Sequence, residues 1–122
     1  MKPEFDANKT IYVQIAENIE DDILRGHIEE ESQVMSTNQF AVHYRINPAT
    51  AAKGLNILVN EGILYKKRGI GMFVTTGASD RVREKRRAAF IENYVAPLIK
   101  EAAGLGISVG EIIDMLQTSG KE

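Results

Sequence analysis

The chain has 122 residues, a formal net charge of −2 and 43% hydrophobic residues, which suits one small domain or one small domain with a helical extension. It has no cysteine, which excludes disulfide bonds and thiolate metal sites. Neither a signal peptide nor an apolar run long enough to cross a bilayer is visible, so we expect a soluble cytoplasmic protein without membrane contact.

The first predicted element is an amphipathic helix that ends near Gly26. Adjacent acids on a helix do not face each other and no nucleophile converges on them, so we predict no enzyme. His27 and His43 are far apart and lack acidic partners at ligand spacing, so we predict no metal site and no cofactor. The apolar side consists of Tyr12, Ile15, Ala16, Ile19 and Ile23. The opposite side, expected to face solvent, consists of Glu17, Glu20, Asp21 and Asp22.

Residues 36–62 predict a helix, a turn and a second helix. Ser36 and Gln39 have the spacing of a capping box, which starts the first helix. Arg45-Ile46 forms the turn, and Asn47-Pro48 pairs a good N-cap residue with a proline at the first helical position. The second helix ends at Gly62.

The outward face of the second helix carries small and polar residues instead of the usual mixture of Glu and Lys. Ala49 and Ala52 would let the backbone approach a DNA groove, and Thr50 and Lys53 could contact phosphates. Free N–H groups at the helix start would add to this attraction. The alternative is an ordinary core helix in which Ala serves helix propensity. The predicted buried stripe is Ala51, Leu55, Leu58 and Val59.

A hairpin is predicted next, with strands at 63–67 and 72–75 and a tip at Arg68-Gly69-Ile70-Gly71. A tight turn alone would explain the glycines, but it would not explain the cations Lys66, Lys67 and Arg68 beside them. An arginine at a hairpin tip suits the narrow, electronegative minor groove of DNA. Residues 35–76 carry a net charge of +4, whereas residues 1–34 carry −6. The positive segment therefore coincides with the predicted DNA-binding elements.

These elements together resemble the winged helix-turn-helix domain of the GntR family of bacterial transcription regulators, over about residues 11–75. The Asn-Pro-x-Thr opening of the second helix and the short tail resemble the YtrA-type subfamily. The motifs that carry the resemblance are Ile11-Tyr12-x-Gln14-Ile15-Ala16, Ile23-Leu24-x-Gly26, the helix from Asn47 to Leu55, Glu61-Gly62-Ile63-Leu64, and Arg68-Gly69-x-Gly71-x-Phe73-Val74.

The resemblance implies that the start of the second helix contacts bases and that the hairpin tip enters the minor groove. Asn38 and Ala52 stand where family members often carry arginine, which implies weaker electrostatic affinity here. The predicted DNA contacts, from the resemblance and from the residues themselves, are Ser36, Thr37, Asn38, Arg45, Asn47, Pro48, Ala49, Thr50, Ala52, Lys53, Lys67, Arg68 and Gly69.

The C-terminal segment begins with a predicted hinge at residues 76–79, where Ser79 or Asp80 could cap a long helix that Pro97 interrupts. Ser108 and Glu111 form a second capping box. One side of these helices is apolar and too large to leave uncovered, so we predict that it pairs with a second copy of the chain; the alternative is that it folds back on the same chain. The predicted dimerisation residues are Phe90, Tyr94, Leu98, Ile112 and Leu116.

The basic run at residues 81–87 has three interpretations that the sequence leaves open. It could be a solvated helix start, a phosphate-contacting segment near the wing, or a membrane-surface helix. The first is the simplest.

The predicted fold is mostly α with a small β-hairpin: a winged helix-turn-helix DNA-binding domain in residues 1–76, followed by a two-helix C-terminal dimerisation extension in residues 77–122. We predict a homodimeric transcription regulator, a repressor that binds a pseudo-palindromic double-stranded DNA operator. Two alternatives are a winged-helix protein-interaction module with weak DNA affinity, and a sensor that binds an unknown small-molecule effector between its C-terminal helices.

Overall fold

The computed structural model describes residues 10–120. A π-helical turn, Ile91–Val95, joins the fourth helix to the fifth. The chain divides into two compact units that meet between Arg83 and Glu84. Its helices are α1 (Ile11–Leu24), α2 (Thr37–Tyr44), α3 (Pro48–Asn60), α4 (Ala78–Phe90), α5 (Ala96–Gly104) and α6 (Val109–Ser119), and its strands are β1 (Leu64–Lys67) and β2 (Gly71–Val74).

The core of the first unit lies where α1 and α2 pack against α3. The predicted stripes are confirmed for the most part, since both helices bury the aliphatic residues that recur at helical spacing. Tyr12 and Val59 are half-buried instead of fully buried. The buried members of the predicted stripes are Ile15, Ala16, Ile19, Ile23, Ala51, Leu55 and Leu58.

Gly54 lies at a close contact between α3 and α1, and sequence analysis did not identify it. A Cβ atom at this position would come within 2.8 Å of the Tyr12 carbonyl oxygen and 3.0 Å of the Ile15 Cβ. A Cβ atom in a protein essentially never comes within 2.8 Å of another heavy atom that is not bonded to it, so only glycine permits this contact between the two helices.

The expectation that the acidic side of α1 faces solvent is wrong. Glu20 is 1% exposed and Asp22 is 7% exposed, and Gln14 and Asn18 are also buried. The chain after α1 turns back over the end of the helix: the backbone N–H groups of His27 and Ile28 donate to the Asp22 carbonyl oxygen at 2.8 and 3.2 Å. The His27 ring lies 3.4 Å from the Asp22 carboxylate. Both buried acids take part in polar interactions, as the burial of a charge requires.

The predicted hairpin is confirmed, with three of its four strand ends shifted by one residue and the end of β1 at Lys67 as predicted. β1 and β2 pair antiparallel in the register Leu64↔Val74, Tyr65↔Phe73, Lys66↔Met72 and Lys67↔Gly71. Residues 31–34 run along the free edge of β2, where Glu31 donates to Val74, Val34 donates to Met72 and Val74 donates to Ser32, at 2.7–3.0 Å. This third segment ties the wing to the chain that follows α1.

The start of α4 is held by Glu30 and Glu31, which we call the acidic clasp. Glu30 accepts hydrogen bonds from the Gly77 and Ser79 backbone N–H groups at 2.9 and 3.3 Å. Ser79 and Asp80 lie inside the helix, so neither is the predicted cap. The Glu30 carboxylate takes the place of the predicted cap, and its negative charge interacts favourably with the positive end of the helix dipole.

Glu31 completes the clasp. Its carboxylate accepts hydrogen bonds from the Tyr65 hydroxyl at 2.5 Å, the Thr76 N–H at 3.0 Å and the Thr76 hydroxyl at 2.6 Å. The Thr76 hydroxyl and then the Tyr65 hydroxyl hold the pKa of the Glu31 carboxyl below its ordinary value. The carboxylate is therefore ionised at neutral pH, and its bonds weaken only as the pH falls through that lowered pKa.

The predicted hinge at residues 76–79 is thus hydrogen-bonded, and the first turn of α4 packs in the winged unit through Ala78 and Val82, both 0% exposed. The compact units meet at 83/84, seven residues after the predicted boundary. The division of labour between a DNA-binding part and a dimerisation part stays a prediction.

In the second unit, Pro97 interrupts the helix as predicted. The proline lacks an N–H and its ring would clash with the carbonyl four residues earlier. The chain widens into the π-helical turn just before it, and the Ala96 N–H donates to the Ile91 carbonyl five residues back. α6 begins with the predicted Ser108–Glu111 capping box. Ala102 and Ile112 are the buried hydrophobic residues of α5 and α6.

The close contact at Gly54 predicts that one methyl group added at this position destabilises the protein. Gly54→Ala should lower the free energy of unfolding by roughly 1–3 kcal/mol, because the steric cost exceeds the gain in helix propensity of about 1 kcal/mol. Gly104→Ala in α5 is the control, since a Cβ there meets nothing within 4 Å; it should be neutral or stabilising. Urea unfolding followed by circular dichroism measures both, and equal stability of the two variants would contradict the packing argument.

Candidate nucleic-acid interface

The start of α2 and the wing face each other across one open groove. The sequence predicted DNA contacts in both segments, which are about thirty residues apart in the chain, and the fold brings them together. Four lining residues, Lys66, Ile70, Gly71 and Met72, were missing from the predicted set. The lining is Ser36, Thr37, Asn38, Lys66, Lys67, Arg68, Gly69, Ile70, Gly71 and Met72.

The start of α3 is exposed, but its backbone N–H groups are already satisfied. The Asn47 side-chain oxygen accepts from Ala49 at 2.8 Å, and the Asn47 carbonyl accepts from Thr50 and Ala51 at 3.0 and 3.1 Å. Pro48 has no N–H. The expectation that free N–H groups at this end attract phosphate is therefore wrong, because a single residue caps them all. What remains available is the side-chain surface of α3.

That surface is small and polar, as predicted. Asn47, Pro48, Ala49 and Lys53 are exposed, and Thr50 and Ala52 are half-exposed. The Lys53 ammonium lies 4.2 Å from the centre of the Tyr12 ring on α1. A cation over an aromatic face is held in place without losing its charge. Lys53 therefore contacts α1 through this ring while its charge stays exposed.

Arg45 occupies the turn between α2 and α3 with a φ of 54°. Its N–H donates to the carbonyl groups of Ala41 and Val42, which closes α2 and directs the chain into α3. This left-handed conformation costs a non-glycine residue roughly 1–2 kcal/mol, so glycine would be the better residue for the backbone alone. The side chain is exposed next to the start of α3.

The wing tip has one defined shape. Gly69 has a φ of 77° and Gly71 a φ of 144°, and a Cβ at Gly71 would meet the Gln33 side-chain nitrogen at 2.5 Å. That nitrogen donates to the Ile70 carbonyl at 3.0 Å. The tight-turn explanation of the two glycines is thus also correct. Gln33, which sequence analysis missed, fixes the tip from the third segment of the sheet.

Neighbouring cations of the wing point to opposite faces of the hairpin. Lys67 lies 4.3 Å from the centre of the Phe73 ring, on the face that Tyr65 shares. Lys66 pairs with Met72 on the other face. The two-residue period of a strand could have predicted this division.

The basic run at residues 81–87 begins far from the exposed start of α3. The Arg81 guanidinium lies next to Gly62, where a Cβ would come within 2.7 Å of its nitrogen. Gly62 follows the C-terminal end of α3, which is about 20 Å long. Arg83 pairs with Asp80 at 2.9 Å. Both arginines thus have structural neighbours, but Gly62 lies two residues before β1, so phosphate contact near the wing stays an alternative to a solvated helix start.

The predicted dimerisation residues fall into two groups. Phe90, Tyr94, Leu98 and Leu116 are 43–67% exposed, whereas Ile112 is 8% exposed because α5 covers it. Ile112 therefore offers little surface to a second chain. A cavity of about 190 Å³ lies between α5 and α6, lined by Leu98, Glu101, Ala102, Leu105, Ile107, Ile112, Met115 and Leu116. Pockets for drug-sized ligands usually exceed about 300 Å³.

Two kinds of feature are absent from residues 10–120. In that part of the chain no helix combines the length and apolarity needed to cross a membrane. Over the same range, no three His, Cys, Asp or Glu side chains come together as a metal site would require.

Comparison with known proteins places the chain among bacterial regulators. The model of the gntR family of bacterial regulatory proteins matches residues 11–74. A protein of Bacillus subtilis strain 168, the uncharacterized HTH-type transcriptional regulator YhcF, is 26% identical over 120 residues, which are 97% of this chain and 96% of that one.

Two solved structures share the fold, one over nearly the whole chain and one over its first part. A GntR-family protein of Bacteroides thetaiotaomicron, described as a transcriptional regulator, is 36% identical with a TM-score of 0.79, and the match covers 91% of this chain and 96% of that one. AraR(DBD), solved in complex with operator ORX1, is 27% identical with a TM-score of 0.54, and covers 62% and 90%.

The family model covers more than half of the chain, and α1, α2, α3 and the hairpin form a winged helix-turn-helix. The chain belongs to the GntR family of bacterial regulatory proteins and is a DNA-binding transcription regulator, not an enzyme.

Proposed function

We propose that this regulator binds a pseudo-palindromic operator as a homodimer in the cytoplasm and represses transcription by occupying DNA that RNA polymerase needs. One observation carries the DNA-binding surface: the start of α2 and the cationic wing tip line a single groove. In the proposed complex the exposed start of α3 enters the major groove, and Arg68 and Gly69 reach the neighbouring minor groove. AraR(DBD), whose fold this chain shares, was solved with an operator.

The predicted contacts have separate roles in this proposal. Ser36, Thr37 and Asn38 meet the phosphate backbone across the groove from Lys67. Asn47 uses its side-chain oxygen in the cap, so only its amide nitrogen is left to donate to a base. Ala49 and Ala52 allow close approach of the helix, while Thr50 and Lys53 meet phosphates.

The dimer is supported by the exposed apolar surface of the second unit. A stable interface usually covers roughly 800 Å² on each partner. The large hydrophobic side chains at this surface that are at least 43% exposed are Phe90, Ile91, Tyr94, Leu98, Ile99, Leu105, Val109, Ile113, Met115 and Leu116. Covering them with a second copy would also place two winged units on one DNA molecule, about one helical turn apart.

The wing and α3 can be tested by alanine substitution. Arg68→Ala should weaken operator binding and flatten the preference for A·T pairs in the flanks, because the minor-groove contact is lost. Thr50→Ala should weaken binding to all sequences. Lys53→Ala should do the same and lower the slope of log affinity against log salt by roughly 0.9 per protomer. Fluorescence anisotropy at several salt concentrations measures these effects. Lys100→Ala, on α5, is the control for loss of one charge and should change neither affinity nor slope.

Arg45 allows stability to be separated from binding. Arg45→Gly should leave the free energy of unfolding unchanged or raise it by up to about 1 kcal/mol, because glycine relieves the left-handed backbone. The same variant should bind the operator more weakly, since the guanidinium is lost. Arg45→Lys keeps the charge and should bind more tightly than Arg45→Gly. Thermal unfolding and anisotropy are measured on the same samples. Operator affinity of Arg45→Gly equal to that of the wild type would remove Arg45 from the interface.

The dimer surface can be tested in the full-length chain. Leu116→Asp places a charge on the exposed side of α6, so each chain should still fold but the homodimer should dissociate. Loss of the linked second half-site should lower operator affinity by about 10²-fold or more. Analytical ultracentrifugation and a gel shift measure both. Val42→Asp, on α2 of the winged unit where Val42 is 79% exposed, is the control for oligomeric state in the ultracentrifuge only, because its charge would lie beside Asn38. A Leu116→Asp protein that remains dimeric would show that the interface lies elsewhere.

A further inference from the structure

We infer that Ile70, at the tip of the wing, is an apolar wedge that enters the minor groove, unstacks a base step there and makes the regulator select deformable steps. The inference rests on the proposed function, in which the wing tip reaches the minor groove. It deepens that proposal, because it gives a role in sequence selection to an uncharged side chain that sequence analysis did not include among the DNA contacts.

The side chain of Ile70 lies among the cations of the wing. It is 64% exposed, and it lines the same open groove as Lys66, Lys67 and Arg68. Three neighbouring cations suit a polyanionic partner such as DNA, and they would repel one another if an apolar protein surface covered them. A partner that these cations attract would come against the Ile70 side chain at the same time.

Single exposed apolar residues are common on protein surfaces, but this one stands on a fixed backbone. The Ile70 N–H donates to the Lys67 carbonyl at 2.9 Å, and the Ile70 carbonyl accepts from the Gln33 side chain at 3.0 Å. Gly69 and Gly71, on either side, have φ values of 77° and 144° that permit this turn. Both backbone polar groups of Ile70 are thus satisfied within the wing, and its side chain is left available.

The chemistry of isoleucine fits a wedge. Architectural proteins that bind the minor groove insert apolar side chains of this kind between base pairs and bend the duplex. Branching at Cβ restricts rotation about χ1, so Ile70 loses less conformational freedom on insertion than a lysine at the same place would lose. Insertion also removes its exposed apolar surface from water.

Arg68 and Ile70 would select different properties of the DNA. An arginine is attracted to the narrow minor groove of A·T-rich DNA, which includes stiff A-tracts. A wedge needs a step that opens easily, and pyrimidine–purine steps such as TA are the flexible ones. Both side chains therefore favour A·T pairs, but the wedge alone favours TA over AA, two steps with the same base-pair composition.

The test uses the full chain and an operator that the wild type selects from random-sequence DNA. Each flanking step of that operator is made TA or AA in turn, and fluorescence anisotropy gives the affinity for each duplex at several salt concentrations. A second set of duplexes carries 2-aminopurine in place of the adenine, since the fluorescence of this base rises when it is unstacked. Thermal unfolding confirms that each variant is folded.

The variants separate apolar contact from charge. Ile70→Ala removes the wedge, and Ile70→Lys replaces it with a cation. Ile70→Leu is the matched control, because it keeps an apolar side chain of the same size. Gln33→Met removes the hydrogen bond to the Ile70 carbonyl and keeps a side chain of similar length. Arg68→Ala reports independently whether the wing tip meets DNA.

We expect the wild type and Ile70→Leu to raise the 2-aminopurine fluorescence at a flanking TA step. Ile70→Ala should abolish the rise and move the ratio of affinities for TA and AA duplexes towards AA by about threefold or more. Its slope of log affinity against log salt should not change, because no charge is lost. Ile70→Lys should steepen that slope by roughly 0.9 per protomer and still give no fluorescence rise. Gln33→Met should give a smaller rise than the wild type.

Two results would overturn the inference. One is a fluorescence rise or a ratio of TA to AA affinities that Ile70→Ala leaves unchanged. The other is no rise with the wild type at any flanking step while Arg68→Ala still weakens binding, which would mean that the wing tip meets DNA without a wedge. Failure of the proposed function would look different, because Arg68→Ala would then bind the selected operator as tightly as the wild type.

Discussion

The close contact between α1 and α3 at Gly54 is the constraint on which the proposed DNA-binding surface depends. It brings Ile15 and Ile19 of α1 into the same buried hydrophobic cluster as Leu55 and Leu58 of α3. Because that side of α3 packs against α1, the start of the helix at Asn47 remains exposed. The chain leaves α3 at Gly62 and enters the wing within two residues, so the wing position follows from the same contact.

The proposed DNA-binding surface has few cations, and aromatic rings contact two of them. Asn38 and Ala52 carry no charge, and Asn47 satisfies the helix N–H groups that could have held a phosphate. Two of the remaining cations are ordered by aromatic rings, Lys53 by Tyr12 and Lys67 by Phe73. A side chain already held in position loses less conformational entropy when it binds. Preorganisation of few cations can thus offset their small number.

The two units differ in how much of their apolar surface they bury within one chain. The winged unit buries its apolar residues among three helices and a sheet, and even encloses acidic side chains of α1. The second unit buries Ala102 and Ile112 and leaves most of its large apolar side chains exposed. A unit of that kind gains stability by association, because the hydrophobic effect rewards covering that surface. The proposed homodimer would supply that cover.

The sequence by itself determined the features whose cause lies within a few residues. Both capping boxes, the Asn47-Pro48 helix start, the end at Gly62, the glycine tip of the wing and the interruption at Pro97 are local chemistry, and each was predicted correctly. The groove was predicted in part, since its two sides were identified separately. Only the tertiary structure decided that Gly54 is a contact point, that acids of α1 are buried, that residues 31–34 join the sheet and that Glu30 and Glu31 hold α4. These features depend on partners tens of residues away in the chain. A local sequence pattern does not indicate which distant segment will lie beside a given side chain.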